Sequence, residues 1–303
     1  MKIGIIGGGI AGFSCARKLK EKISNCQITV IDKRREPFKK YLLSRWLINK
    51  AKDSDFFINW QSINSGVEFI SRRVEKINLD KRSVYLKEGG VQVFDKIVLA
   101  TGLEAERLDF KGARKKGVYY LANYLAVREL KEAIRRAKHI LVYTSSMFGL
   151  ELVSFLARLE GKIINLVYNQ TLSFIYDKEG LSLREYLSLK NIGLYAHTKI
   201  EEVLGEGRIK AARLSSNKIL ASDILLIDSF LKPSLIEIAP FSSAEKEGGL
   251  KDILPGYREV FFVCGDVNNV KERGINFFFL NRLRAQRDAS ELAGALCRQG
   301  KET

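Results

Sequence analysis

The sequence predicts an α/β fold in two units, each centred on a parallel sheet. Three observations carry that reading. A strand, a glycine-rich turn and a helix open the chain at residues 2–22. The same order of strand, turn, helix and strand returns at residues 139–168. Two further apolar strands, at residues 97–102 and 260–266, each close on a short Gly-containing motif. Strands alternating with helices of this length give parallel sheets covered by helices.

Residues 2–6, Lys-Ile-Gly-Ile-Ile, read as a short buried strand, and Gly7-Gly8-Gly9-Ile10-Ala11-Gly12 fits the spacing G-x-G-x-x-G. In such a turn Gly7 makes the tight bend, Gly9 lets the backbone approach a pyrophosphate, and Gly12 lets helix and strand pack closely. Ile10 and Ala11 sit at the head of the helix, where free N–H groups and a partial positive charge suit phosphates. The helix runs through about residue 22, with Phe13, Ala16 and Leu19 or Ile23 facing inward. A second apolar strand at residues 27–31 ends at Asp32, whose carboxylate is placed to accept hydrogen bonds from an adenosine ribose. Lys33 follows it and joins the candidate cofactor set.

The bulk properties set the frame. The chain has 303 residues, 46% of them hydrophobic, with only four prolines, which suits two globular domains and argues against disorder. No apolar run approaches the roughly 20 residues that span a bilayer, and no cleavage site follows Met1-Lys2, so a cytoplasmic location without membrane insertion is expected. Cys15, Cys26, Cys264 and Cys297 form no Cys-x-x-Cys pair, and two histidines supply a metal site or hydrolytic triad poorly, so no metal is expected. The net charge of +16 draws acidic partners. No basic amphipathic helix or nucleic-acid module accompanies it, and nucleic acid is not an expected partner.

The strand at 97–102 reads Ile-Val-Leu-Ala-Thr-Gly and that at 260–266 reads Val-Phe-Phe-Val-Cys-Gly-Asp. With these in place after the first turn, the chain resembles the pyridine nucleotide–disulfide oxidoreductase superfamily of FAD/NAD(P) flavoproteins. That resemblance implies two Rossmann-like dinucleotide-binding domains. It implies that Thr101, Gly102, Gly265 and Asp266 join an FAD site, with Asp266 hydrogen-bonding the ribityl chain. Tyr41-Leu42-Leu43-Ser44-Arg45 is similar to the Leu-Ser-Lys segment of rubredoxin reductases and nitrite reductase flavin domains, where a lysine lies beside the flavin. Ser44 then joins the cofactor set, and Arg45 takes the lysine's place as the candidate catalytic residue. A cation there stabilises anionic reduced flavin. An exposed helix arginine is the alternative reading. Disulfide reductases of the superfamily carry redox cysteines in this region, and residues 33–60 hold none. Thiol–disulfide exchange is set aside, because it needs a thiolate near the flavin.

The second unit departs from the pattern. Residues 139–143 and 162–168 read as strands and 147–158 as a helix that Gly161 ends, and Gly149-Leu150-Glu151-Leu152 matches the family's helix start. The turn itself reads Thr144-Ser145-Ser146-Met147-Phe148-Gly149, and only the third glycine survives. The next strand ends in Tyr168-Asn169-Gln170, with neither acid nor arginine for a ribose, and Phe230-Leu231-Lys232-Pro233 stands where the family has Gly-x-x-Pro. Either the Thr144 and Ser146 hydroxyls replace backbone donors and NAD(H) still binds, or the unit keeps its fold without its ligand. Three departures favour the second.

The expected FAD domain is discontinuous, residues 1–109 and 235–303, with the NAD(P)-like domain at 110–234 and its last strand at 223–227. Residues 68–86 and 195–215 alternate like small antiparallel sheets. A final helix is expected at about 276–296, opened by Asn276-Phe277-Phe278-Phe279, whose N-terminus would point at the flavin and whose aromatics read as core or as a partner contact. Family members continue into an interface domain that builds a homodimer, and the family-type homodimer is not expected here. The leading function is an FAD-dependent oxidoreductase exchanging electrons with an acidic redox protein of rubredoxin or ferredoxin type. Segment 33–50, with seven Lys/Arg and one Glu, would steer that partner. The alternative is a non-catalytic or electron-relay FAD subunit of a larger redox complex. A conventional NADH-dependent reductase comes third.

Overall fold

The structure, a computed structural model of the chain, describes residues 1–23, 25–63, 67–105, 108–121, 127–144, 147–168, 192–228, 231–234, 236–241, 254–265 and 287–295. Two five-stranded parallel sheets dominate it. The first has the order β19-β7-β1-β2-β3, with β1 at Lys2–Ile6, β2 at Gln27–Asp32, β3 at Val67–Ser71, β7 at Lys96–Leu99 and β19 at Phe261–Val263. The second has the order β12-β11-β10-β16-β9, with β9 at Val118–Tyr120, β10 at His139–Thr144, β11 at Ile163–Tyr168, β12 at Gly193–Ala196 and β16 at Ile224–Asp228. The two orders superimpose strand for strand, with β1 and β10 at the centre.

Burial on both faces explains the near-continuous apolar runs of the central strands: Ile140, Leu141, Val142 and the four residues Ile224 to Ile227 are each 0% exposed. Alternate residues of each sheet feed different layers. In the first sheet Ile3 and Ile5 pack with helix α1 (Ile10–Lys22) and with Ala289, Leu292 and Ala293 of the helical stretch 287–295. Ile6, Ile97 and Leu99 pack on the opposite face against a four-stranded sheet, order β18-β4-β5-β6, formed by β4 (Val74–Asn78), β5 (Ser83–Leu86), β6 (Val91–Val93) and β18 (Glu237–Ala239). The second sheet repeats this plan. Ile140 and Val142 face helices α4 (Val127–Arg136) and α5 (Met147–Leu156), while Leu141 and Tyr143 face β13 (Ile200–Leu204), β14 (Ala211–Leu214) and β15 (Ile219–Ala221).

Helix α1 buries Ala16 and Leu19 as its sequence spacing predicts, and Phe13 packs edge-on against Trp60 at 5.3 Å. Lys20 and Lys22 lie in its last turn, where cations favour the helix dipole. The antiparallel sheets are shorter than the alternation suggests. Residues 67–71 and 193–196 pair in parallel with β2 and β11 and belong to the main sheets. A half-buried edge strand alternates whichever way its neighbour runs, so the pattern alone cannot set direction.

The chain leaves the first sheet through β8 (Leu103–Ala105) and returns through β17 (Leu231–Pro233), which pair as an antiparallel ribbon. Thr101 Oγ1 donates to the Ser234 carbonyl at 2.6 Å and Ser234 N–H donates to the Gly102 carbonyl at 2.9 Å, which closes its base.

Segment 38–57 lies between β2 and β3 in sequence but shares its core with the second unit. Phe38, Leu43, Trp46, Leu47, Ile48 and Phe56 belong to the same apolar cluster as Leu130, Val142, Leu152 and Leu226. Helix α2 (Leu43–Leu47) packs against α5, and α3 (Asp53–Phe56) follows it. Trp46 stacks on Phe56 at 4.4 Å, and Lys131 Nζ of α4 lies 4.1 Å from the Trp46 ring. Arg128 ties the rim by bonding both carboxylate oxygens of Glu36 and one of Asp53, with its guanidinium 4.3 Å from Phe57. The last short helix, α6, spans Leu254–Tyr257.

Candidate functional site

The carboxyl ends of β1, β2, β7 and β19 meet at the first glycine turn, where the strand order reverses and ligands of open α/β sheets bind. Gly7 N–H donates to Ile31 O, Ala100 N–H to Ile6 O, and Cys264 N–H to Leu99 O. Gly7 has φ +113, and a Cβ on it would fall onto the Ala100 carbonyl oxygen. A Cβ on Gly12 would fall onto the Gly7 carbonyl oxygen. The turn is therefore closed by backbone against backbone. The space above Gly9 is open, its nearest neighbour being an Arg34 guanidinium nitrogen at 3.9 Å from a built Cβ. Helix α1 carries no acid in its first turn and no side-chain cap on Gly9, so the helix head keeps its positive end.

Asp32 ends β2 with its side chain 4% exposed. Its Oδ2 accepts from Gly8 N–H at 2.7 Å and from Arg34 Nη2 at 2.9 Å, and its Oδ1 accepts from Arg34 N–H at 2.8 Å and Arg34 Nε at 3.0 Å. Burial pushes the Asp32 carboxyl up, but the Arg34 charge and the bonds from Arg34 and Gly8 outweigh it and hold it below the usual carboxylate range. Sequence reasoning named Asp32 and missed Arg34. Lys33 is exposed, within electrostatic reach of Glu104 and Arg73.

Ile10 and Ala11 open α1, and Ala11 lies under Gly265, where a Cβ would stand 2.7 Å from that of Ala11. Gly265 N–H donates to Asp288 at 3.1 Å, a residue from stretch 287–295 that no motif announced. Thr101 spends its hydroxyl on the ribbon, and Gly102 follows at φ +68. Asp266, Cys297 and residues 276–286 lie outside the described residues. Cys15, Cys26 and Cys264 are buried.

Ser44 and Arg45 sit on α2. Ser44 is 0% exposed, and its Oγ makes no hydrogen bond among the described residues. Arg45 is exposed and within electrostatic reach of Glu151 on α5. Burial pushes the Glu151 carboxyl up, and the Arg45 charge draws it back.

At the equivalent turn after β10, Thr144 takes the place of the first glycine. Thr144 is 1% exposed, and its Oγ1 donates to the Asp228 carbonyl at 3.0 Å. A Cβ on Gly149 would fall onto Thr144 Oγ1 and Cβ. Where Gly12 packs on a bare carbonyl, Gly149 packs on a threonine side chain. Asp228, 0% exposed, lies at the adjoining end of β16. Ser145, Ser146, Asn169, Gln170 and Phe230 lie outside the described residues. Among the described residues no group of side chains is arranged to hold a metal ion, and no helix is long and apolar enough to cross a membrane.

Known proteins are similar to this chain in sequence and in fold. The rubredoxin–NAD(+) reductase of Pseudomonas putida is 22% identical over 262 residues, covering 82% of this chain and 67% of its own length. The ferredoxin–NAD(+) reductase component of the biphenyl dioxygenase system of Paraburkholderia xenovorans is 20% identical over 238 residues, covering 77% of this chain, which spans 58% of that relative. The crystal structure of the ferredoxin reductase for the CYP199A2 system from Rhodopseudomonas palustris matches with a TM-score of 0.79 at 19% identity, over 98% of this chain and 76% of its own. At that identity the likeness establishes the fold. The pyridine nucleotide-disulphide oxidoreductase family matches residues 1–235, from β1 through both turns to the ribbon at β17. A chain matched over that span belongs to the pyridine nucleotide-disulphide oxidoreductase family.

Proposed function

We propose that the chain is an FAD-dependent oxidoreductase exchanging electrons with a small acidic redox protein, and that its second dinucleotide unit does not serve NAD(P)H. The contrast between the two turns carries this reading. The first turn is closed on backbone alone and leaves Gly9 open beneath an arginine, which fits a pyrophosphate. In the second, Thr144 takes the place of the first glycine and its side chain lies under Gly149, which does not.

FAD, when bound, supplies the redox chemistry by taking up two electrons and releasing them singly. The chain's own residues bind and steer. Gly7, Gly9, Ile10, Ala11 and Gly12 hold the pyrophosphate. Thr101, Gly102 and Gly265, at the ends of β7 and β19, frame the site. The orphaned Ser44 hydroxyl suits a hydrogen bond to ligand rather than protein. Arg45 places a cation on the helix beside it. Lys33, Arg35, Arg45 and Lys50 are exposed and favour an acidic partner, whereas Arg34 bonds Asp32 and Lys39 bonds the Asp55 carbonyl. Relatives named as ferredoxin and rubredoxin reductases support that class of partner. A second turn with Thr144 in place of the first glycine also suits an FAD-bearing relay subunit of a larger redox complex, for which co-purification with an iron–sulfur subunit is the sign.

An anaerobic titration of the FAD-loaded protein with NADH and then NADPH, followed by visible absorbance, tests the proposal. We expect the flavin to bleach with dithionite and not with stoichiometric NADH or NADPH. Bleaching by NADH would make the protein a conventional pyridine-nucleotide reductase. A preparation that cannot be loaded with FAD would overturn the reading altogether.

A further inference from the structure

We propose that Arg34 is the residue that reads the cofactor's pyrophosphate, and that Asp32 is the positioning residue that aims it rather than a ribose acceptor. The inference rests on FAD occupying the first turn, as proposed above.

The argument is a count of donors and acceptors. A carboxylate offers about four acceptor positions. Asp32 has all four engaged, two by the Arg34 side chain, one by Arg34 N–H and one by Gly8 N–H. Its side chain is 4% exposed, so a ribose hydroxyl finds neither a free lone pair nor an open approach. The acid at the end of the second strand ordinarily takes those hydroxyls. Here it is saturated by its own chain.

Arginine carries five N–H donors in a rigid fork. Arg34 uses two of them on Asp32, and no other polar partner for its guanidinium occurs among the described residues. The group is fixed on three sides. Asp32 holds one edge, the Phe38 ring lies 5.6 Å from the guanidinium carbon, and Gly9 lies beneath Nη2. Nη2, the nitrogen nearest Gly9, stands at the head of α1, where the pyrophosphate of a dinucleotide would lie. Asp32 thus pre-orients a cation that would otherwise lose rotamer freedom on binding.

Binding of FAD, ADP and 2′,3′-dideoxy-ADP to the full chain stripped of nucleotide tests this. For the wild type we expect ADP and 2′,3′-dideoxy-ADP to bind alike, within about threefold. Arg34→Met should weaken FAD by about 10- to 100-fold, as expected for one or two lost charge-assisted bonds to phosphate, and Arg34→Lys should recover part of that loss. Asp32→Asn should weaken FAD in the wild type but add little on the Arg34→Met background, because it acts through Arg34. The double variant also removes the unpaired carboxylate that Arg34→Met leaves buried, so it separates binding from misfolding. Tighter binding of ADP than dideoxy-ADP by tenfold or more would overturn the assignment, as would undiminished FAD affinity in Arg34→Met. In both cases FAD binding by the wild type would still stand. A wild type that binds neither FAD nor ADP would overturn the proposed function and this inference together.

Discussion

Gly12 has no room for a methyl group, because the position a Cβ would take is the Gly7 carbonyl oxygen. Gly12→Ala is expected to cost about 1–3 kcal/mol in urea unfolding, since backbone on both sides resists relaxation. Gly9→Ala meets nothing closer than 3.9 Å and should leave stability near wild type while weakening FAD. Ser44 makes the opposite case. Its Oγ is buried without a hydrogen bond among the described residues, so Ser44→Ala should fold at least as stably as wild type, and only its cofactor affinity should fall. Glu151 gives a dependence on pH. Its carboxyl is pushed up by burial, so the folded chain holds that proton more tightly than the unfolded chain. Its stabilising contribution is complete below about pH 4 and is lost as pH rises through the raised value. Glu151→Gln should therefore melt higher than wild type at pH 8, with the difference gone at pH 4.

At the scale of elements, the sequence was readable where a local pattern had one physical cause. Strand β1, its turn and α1 follow from Gly7, Gly9 and Gly12 together with the apolar spacing of Phe13, Ala16 and Leu19. The departure at Thr144 was equally readable, though not that its side chain would become the surface on which Gly149 packs. Directions of edge strands β3 and β12 were not readable, since alternation is indifferent to the neighbour's sense. The grip of Arg34 on Asp32 was hidden inside a run of basic residues that resembles a solvated face. Nor did segment 38–57 declare its allegiance, because its aromatic residues follow no helical or strand period. Trp46 tests that allegiance. It is 1% exposed and lies between Phe56 and Lys131, so Trp46→Ala should cost about 3–5 kcal/mol, with α4 and α5 losing amide-exchange protection alongside α2.

At the scale of the whole molecule, that shared core binds the two sheets into one cooperative body. Thermal unfolding is expected as a single transition whether followed by far-ultraviolet circular dichroism or by tryptophan fluorescence. Two resolved transitions would show that 38–57 does not join the units. The Arg128 clamp on Glu36 and Asp53 is about half exposed, with side chains at 52%, 56% and 58%. Arg128→Ala should therefore cost no more than about 1 kcal/mol, less at high salt, and should not split the transition.

The ribbon of β8 and β17 has a genealogical consequence. Ala105 pairs with Leu231 and Leu103 with Pro233, so a long excursion begins and ends at one doorway. A chain laid out in this way can trade its excursion for a cousin's, or for a short hairpin, with two neighbouring stitches and no rethreading of the remainder. What limits the trade is the aromatic surface of 38–57, which any newcomer must cover. A graft sutured at the ribbon would succeed or fail according to how well its own helices fit Trp46, Phe56 and Phe57.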